Sequence, residues 1–162
     1  EADLARLMAE VLDRDFPLFG ACYGVGTVGT AIGARIDETY SEKPQVIEVS
    51  LVREDPLLEG MPETFHTMVG HKEAVAVLPD VATVLATGRN CPTQMFRVQD
   101  NIYATQFHPE LAPAQFEQRL RIYANAGYYE PHELDAILAG TRGVDLTVDD
   151  RILRNFATRY AR

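Results

Sequence analysis

The stretch Pro17–Gly24, with the sequence PLFGACYG, decides how we interpret the fold of this chain. Its first part, Pro17–Ala21, is a short apolar run bounded by turn signals, which is typical of a buried parallel strand. A glycine-dense segment with valine and isoleucine at helical spacing follows, and we predict a helix there that lies very close to a neighbouring backbone. The sequence therefore predicts a sharp turn from strand to helix, with Cys22 at the turn.

The five residues Gly20–Gly24 fit the pattern G-x-C-x-G, the thiol form of a nucleophile elbow. Glycines two residues to either side of the cysteine let strand and helix approach each other without Cβ clashes. The dipole of the following helix favours a thiolate at Cys22, and the backbone N–H of Tyr23 is placed to donate to an oxyanion. A small buried cysteine in a glycine-rich turn fits the same residues, so the motif indicates chemistry only together with a base.

A base with a carboxylate partner stands at the end of a later predicted strand, in the segment Gln106–Glu110 with the sequence QFHPE. Side chains at positions i and i+2 of an extended chain point the same way, so His108 and Glu110 can share one side. Glu110 would then orient the imidazole and stabilise its protonated form, while the other ring nitrogen faces the sulfur. The alternative is a histidine at a strand end, hydrogen-bonded to a glutamate that caps a helix.

The segments around these motifs predict an α/β protein. Residues 3–14 have the spacing of an amphipathic helix, and the helix–strand–helix order at the start predicts a parallel strand flanked by crossovers. We therefore expect a doubly wound, three-layer architecture with a mostly parallel sheet flanked by helices. The middle of the chain predicts six further short strands, which could include an antiparallel edge or a side sheet: Ile47–Leu51, Thr64–Val69, Ala74–Leu78, Thr83–Thr87, Thr93–Val98 and Ile102–Phe107.

Helical patterns fill the last third of the chain. The first covers residues 112–127, and the second begins at Pro131 and ends at Gly140. Thr147 and Asp150 form a capping-box-like start for the third helix. A weak boundary at residues 127–130 predicts an α/β domain over 1–127 and a C-terminal helical extension over 128–162.

Composition narrows the classes of function. The chain has 162 residues, of which 46% are hydrophobic and 24% charged, enough apolar material for one real core. The net charge of −9 argues against nonspecific binding of nucleic acid, and no apolar run approaches the roughly 20 residues that span a bilayer. Two cysteines, Cys22 and Cys91, do not make a disulfide framework, so we expect a cytoplasmic protein. They also lack zinc-binding spacing with the histidines, and we expect no metal and no cofactor.

The motifs PLFGACYG and YATQFHPE, in this order, resemble the class I, triad-type glutamine amidotransferase domains. Between them, Val69–Val75 (VGHKEAV) followed by Leu78-Pro79 resembles the S-H-x-D-x-V…L-P segment of that family, and Thr83–Thr87 resembles its next strand. The resemblance covers about residues 4–125 and is nearest to the GMP-synthetase-like branch. It implies a flavodoxin-like α/β fold.

The resemblance also implies an activity. Cys22 would attack the side-chain amide of glutamine, and His108, oriented by Glu110, would protonate the leaving ammonia and then activate water to release glutamate. The ammonia would pass to a synthetase domain or a partner subunit. By the same resemblance, the positions that contact glutamine or its oxyanion would be Tyr23, Gly26, Gly70, His71 and Lys72.

Two departures from the family pattern leave alternatives open. Relatives carry glutamine four residues after the nucleophile, where this chain has Gly26, and they have earlier strands with a glycine loop that gives a second oxyanion donor. The chain is accordingly a fragment of a longer protein, a truncated gene product completed by forming a homo-oligomer, or a degenerate relative. A γ-glutamyl amide or peptide hydrolase and a catalytically inactive interaction domain are the alternative functions. We interpret Cys91 as structural, and Tyr123, Tyr128 and Tyr129 as packing residues.

Overall fold

Helices and strands alternate at the start of the chain, and consecutive strands follow in its middle. The computed structural model describes residues 2–161. The first four elements are α1 (Ala2–Asp13), β1 (Leu18–Ala21), α2 (Tyr23–Ala31) and β2 (Arg35–Asp37). The later strands are β3 (Glu42–Leu51), β4 (Thr64–His71), β5 (Ala74–Val77), β6 (Ala82–Gly88), β7 (Met95–Val98) and β8 (Ile102–Thr105). The later helices are α3 (Pro113–Ile122), α4 (Leu134–Ala139) and α5 (Asp150–Tyr160), and single 3₁₀ turns lie at Glu38–Tyr40, Pro56–Leu58 and Pro131–Glu133.

The strands form one large sheet in the order β1-β8-β7-β6-β3-β4 and one small antiparallel sheet of β2 and β5. The α/β class with helices flanking the sheet is confirmed. Within the large sheet, β1 pairs with β8 in parallel, and the other described pairs are antiparallel. The sheet is thus mixed and not mostly parallel as expected, because turns of a few residues join β6 to β7 and β7 to β8. Such short connections can link antiparallel strands only.

The sheet lies between two helical layers. Side chains alternate along β8, so Ile102 and Ala104 pack on one face with residues of α1 and α2, including Met8 and Val28. Tyr103 faces the opposite side, in a cluster that includes Ile152 of α5. These two apolar clusters establish the three predicted layers and bury β8 from both faces.

The helical region after α3 packs against the sheet and α3. Tyr129 and Leu146 share an apolar cluster with Phe116 of α3 and Met68 of β4. Phe156 of α5 makes an edge-to-face contact with Phe19 of β1, at a ring-centroid separation of 5.7 Å. The domain boundary between residues 1–127 and 128–162 stays a prediction. Among the described residues, no helix has the length and apolar character that crossing a membrane requires.

The start of α5 differs from the predicted capping box. Thr147 donates from its backbone N–H and from its hydroxyl to Asp145, so its side chain does not cap the helix. The nearby carboxylate forms a local turn with Thr147 and competes with the capping arrangement. The helix begins instead after Asp149, whose buried carboxylate accepts a hydrogen bond from the hydroxyl of Thr67 on β4.

Burial raises the pKa of Asp149 to about 6, although the hydroxyl of Thr67 and backbone N–H groups at residues 149 and 150 donate to it. Its pKa is therefore higher in the folded than in the unfolded protein, and the folded state holds the proton more tightly. This group makes the free energy of unfolding fall as the pH rises from about 4 to 6.

We expect Asp149→Asn to remove that pH dependence. Relative to wild type, the variant should gain about 2 kcal/mol in the free energy of unfolding between pH 4 and pH 7, measured by urea denaturation. Asp150→Asn is the matched control, because Asp150 pairs with Arg154 at the surface. Parallel pH profiles for wild type and Asp149→Asn would contradict the expectation.

Candidate active site

Cys22 and His108 follow the carboxyl ends of two neighbouring parallel strands. The register of β1 and β8 places Ala21 opposite Thr105, and the backbone N–H of Cys22 donates to the carbonyl of Thr105 at 2.7 Å. Parallel strands end at the same edge of a sheet, and this edge is where α/β proteins place their sites. Two motifs that are far apart in the sequence thus meet at one edge.

The strand-to-helix turn at Cys22 has the backbone of a nucleophile elbow. Cys22 has φ 50° and ψ −89°, in the left-handed half of conformational space that a residue with a Cβ rarely adopts. A Cβ at Gly20 would lie 2.9 Å from the Cα of Gly24, so the predicted close approach of strand and helix depends on Gly20. A Cβ at Gly24 would meet no atom within 4 Å, and that glycine is not required for the same reason.

His108 interacts with both Cys22 and Glu110, and we call these three residues the trio. Its Nδ1 donates to Oε1 of Glu110 at 2.7 Å, and its backbone N–H donates to the carbonyl of Met68 on β4. Burial by itself lowers the pKa of His108, but hydrogen bonds to Cys22 and Glu110, with the negative charges of both, outweigh burial and raise it to about 9. Burial also acts to raise the pKa of Glu110, yet the imidazole of His108 brings it below its usual value. The surroundings of His108 therefore favour its imidazolium form beside the carboxylate of Glu110.

A cavity of about 300 Å³ opens beside this trio. Of the predicted site residues, Cys22, Tyr23, Gly70, His108 and Glu110 line it. A larger groove of about 1260 Å³ also reaches Cys22 and Tyr23, and it runs along α1 and α2. The predicted positions that line this groove and not the smaller cavity are Gly26, His71 and Lys72.

Two of those three positions are held by contacts within the protein. The ring of His71 is buried, with Nε2 at 3.0 Å from Oε2 of Glu42 and Nδ1 at 3.1 Å from the carbonyl of Glu73. The ammonium of Lys72 donates to the carbonyl of Ala126 and lies 4.9 Å from the ring centroid of Tyr128. The structure thus brings neither side chain to the trio, and their contact with a substrate stays a prediction.

Arg119 on α3 is the charged residue that the sequence did not indicate. Its Nη1 lies 3.3 Å from Nδ1 of His108 and 3.6 Å from Oε1 of Glu110. The sequence spacing between Arg119 and the QFHPE segment does not predict their contact. The turn between that segment and α3 determines which face of the helix lies against His108. Tyr123, Tyr128 and Tyr129, which we interpreted as packing residues, also line the cavity.

One group of described residues has the atoms of a metal site. The carboxylate, imidazole and thiol of Glu42, His71 and Cys91 lie within 4.8 Å of one another and are buried. Burial raises the pKa of the Cys91 thiol to about 11, with a smaller contribution from the charge of Glu42, so the thiol keeps its proton. The thiol donates to the carbonyl of Thr93, and Glu42 bonds to His71. Hydrogen bonds within the protein account for the group.

The fold and the site together define an α/β protein with a cysteine–histidine–glutamate trio at a sheet edge. Residues 2–122 match the family described as glutamine amidotransferase class-I, and the chain belongs to this family. The glutamine-hydrolyzing GMP synthase of Thermosipho melanesiensis is 33% identical over 122 residues, which cover 74% of the chain and 23% of that synthase. One subunit of the glutamine-hydrolyzing GMP synthase of Methanobrevibacter smithii is 30% identical over 98 residues, covering 60% of the chain and 52% of that relative.

Solved structures share the fold at lower identity. A glutamine amidotransferase from Thermotoga maritima superposes with a TM-score of 0.81 at 20% identity, over 96% of this chain and 66% of that one. A protein from Thermoplasma acidophilum described as a GMP synthase subunit gives a TM-score of 0.66 at 22% identity, over 96% and 62%. The chain spans about a quarter of the full-length Thermosipho synthase and about half of the Methanobrevibacter relative.

The close approach at the elbow gives a test of the turn. We expect Gly20→Ala to lower the free energy of unfolding by about 1–3 kcal/mol, because its Cβ would be forced against the backbone of α2. Gly24→Ala is the matched control, and it should leave stability unchanged or raise it by up to about 1 kcal/mol, since its Cβ meets open space in a helix. Urea denaturation of both variants measures the difference, and equal stability would contradict this account of the turn.

Proposed function

We propose that this chain hydrolyses the side-chain amide of glutamine through a thioester on Cys22. The observation that carries the proposal is the imidazole of His108, whose Nδ1 donates to Glu110 and whose pKa is raised by Cys22, beside an open cavity that all three residues line. Packing alone does not require a strained cysteine, a histidine and a carboxylate at one sheet edge. Together they supply a nucleophile, an acid–base group and a group that orients it.

In the proposed reaction, the sulfur of Cys22 attacks the amide carbon of the substrate. The C–N bond then breaks, the imidazolium of His108 gives its proton to the leaving nitrogen, and ammonia departs from a γ-glutamyl thioester. Neutral His108 takes a proton from water, whose oxygen attacks the thioester carbon. The C–S bond breaks, which releases glutamate and restores the thiolate. The backbone N–H of Tyr23, first in α2, donates to the oxyanion of each tetrahedral intermediate.

We propose that the ammonia is delivered to a synthetase domain or subunit. The relatives support this proposal, because their names describe glutamine-hydrolyzing GMP synthases or one subunit of such an enzyme. The chain covers the glutamine amidotransferase match and only a part of each relative. The acceptor chemistry would accordingly lie in another domain or another chain.

The role of Cys22 can be tested in the complete protein. We expect Cys22→Ala to reduce the release of glutamate and ammonia from glutamine by at least about a thousandfold, since covalent catalysis is lost. Cys91→Ala is the matched control, because Cys91 is buried and does not line the cavity beside His108. A glutamine-like electrophile should label Cys22 and not Cys91. Undiminished glutamine hydrolysis by Cys22→Ala would refute the proposal.

A second candidate function is the hydrolysis of larger γ-glutamyl amides. The observation that favours it is Gly26, where an added Cβ would meet no atom within 4 Å and where the large groove passes. The groove reaches Cys22, so a substituent on the amide nitrogen could extend along it. The tyrosine rings that line the smaller cavity offer a second apolar surface on which such a substituent could pack.

Replacing Gly26 with glutamine separates the two functions. We expect Gly26→Gln to raise kcat/KM for glutamine and lower it for γ-glutamyl-p-nitroanilide, because the new side chain narrows the groove near Cys22 and offers a hydrogen bond of about 1–3 kcal/mol. Gly24→Ala serves as the control on the same helix. An equal change for both substrates would contradict a role of this position in selecting the substrate.

A further inference from the structure

We propose that Arg119 is a positioning residue, which clamps the carboxylate of Glu110 and holds its positive charge against the imidazole of His108. The proposal rests on the proposed function and adds to it a residue that controls the acid–base group. The evidence is the position of the guanidinium, with Nη1 at 3.6 Å from Oε1 of Glu110 and 3.3 Å from Nδ1 of His108.

Hydrogen-bond chemistry decides what this contact is. The Nδ1 of His108 donates to Oε1 of Glu110 at 2.7 Å, so it carries a hydrogen and has no lone pair to offer. Arg119 has donors only and cannot bond to that nitrogen. Its attraction is therefore to Glu110, whose Oε1 is shared between the imidazole and the guanidinium.

The clamp matters because Glu110 is not held by burial. Its side chain is 39% exposed and that of Arg119 is 45% exposed, so water competes for the carboxylate. The hydrogen bond from the imidazole holds Oε1 of Glu110 at 2.7 Å but leaves the rest of the carboxylate able to tilt about that contact. A second, cationic contact on the same oxygen restricts that tilt and fixes the orientation in which the carboxylate accepts from the imidazole.

The charge of Arg119 also opposes the charge that His108 acquires. The titratable groups that act on His108 are Cys22 from the β1–α2 turn and Glu110 from its own loop, and the guanidinium of Arg119 from α3 lies beside it. The contact with β4 is uncharged, because the backbone N–H of His108 donates to the carbonyl of Met68. Two of the charged groups stabilise the imidazolium, and Arg119 repels it.

This opposition has a catalytic use. His108 must give a proton to ammonia and later take one from water, and a group that binds its proton too tightly performs the second step poorly. Arg119 draws part of the charge of Glu110 away from the imidazole. The proton of His108 is then easier to exchange than Cys22 and Glu110 alone would allow.

The same helix provides the matched control. Arg121 lies two residues further along α3 and pairs with Glu117 at 2.7 Å, one turn earlier on the exposed surface. It is an arginine–glutamate pair of the ordinary surface kind, which contributes little. A merely structural role for Arg119 would make the two arginines equivalent.

The experiment is an NMR titration of the His108 imidazole in the complete protein, with its signal assigned by its loss in His108→Asn. We expect Arg119→Gln to raise the pKa of His108 by about half to one unit, because a repelling charge is removed from partly exposed surroundings while the hydrogen bond from Nδ1 to Glu110 remains. Arg121→Gln should leave it unchanged, and Arg119→Lys should stay nearer to wild type than Arg119→Gln does. An unchanged or lower value in Arg119→Gln, or an equal rise in Arg121→Gln, would overturn the proposal.

A second readout links the residue to the reaction. In Arg119→Gln, the basic limb of the pH profile of kcat/KM for glutamine should move to higher pH by the same amount as the titration of His108. A shifted titration with an unmoved limb would overturn the positioning role. The NMR result needs no turnover, so absence of glutamine hydrolysis in the wild type would refute the proposed function and leave the electrostatic clamp measurable.

Discussion

Backbone hydrogen bonds between β1 and β8 hold the two parts of the candidate active site together. The pairing of Ala21 with Thr105 and the bond from the N–H of Cys22 to Thr105 set where the sulfur and the imidazole emerge. A slip of one residue along this ladder would move one strand by about 3.3 Å and reverse its side chains, which would separate Cys22 from His108. Every property of the site that needs Cys22 and His108 close together therefore depends on the register of this one parallel pair.

The packing of both faces of β8 explains why its register with β1 is fixed. Tyr103 is fully buried towards α5, and Ile102 and Ala104 are fully buried towards α1 and α2. A shifted strand would expose one of these sets and bury nothing equivalent, so hydrophobic packing selects a single alignment. Gly20 adds a steric requirement, since the helix that follows the cysteine lies against its Cα. Packing energy from both cores is thus what keeps Cys22 in a strained conformation.

The local charges at the site differ from the net charge of the whole chain. The chain carries a net charge of −9, yet the cavity beside Cys22 contains the imidazolium of His108 and the guanidinium of Arg119. Those cations lie beside the carboxylate of Glu110, so opposite charges meet in a partly buried setting. Local geometry, and not net charge, therefore controls the acid–base chemistry.

Local sequence determined the elements and the chemistry of each motif. Apolar runs with turn signals located the strands except β2, whose three residues are too few to show a period. The G-x-C-x-G pattern predicted the elbow because strand, glycine and helix are neighbours in the chain, and His108 and Glu110 pair through two-residue spacing. Only the tertiary structure decided that the sheet is mixed, that Gly20 and not Gly24 makes the close approach, and that Arg119 reaches the trio. Those features depend on which surfaces pack against each other across long sequence separations, and no local pattern records that.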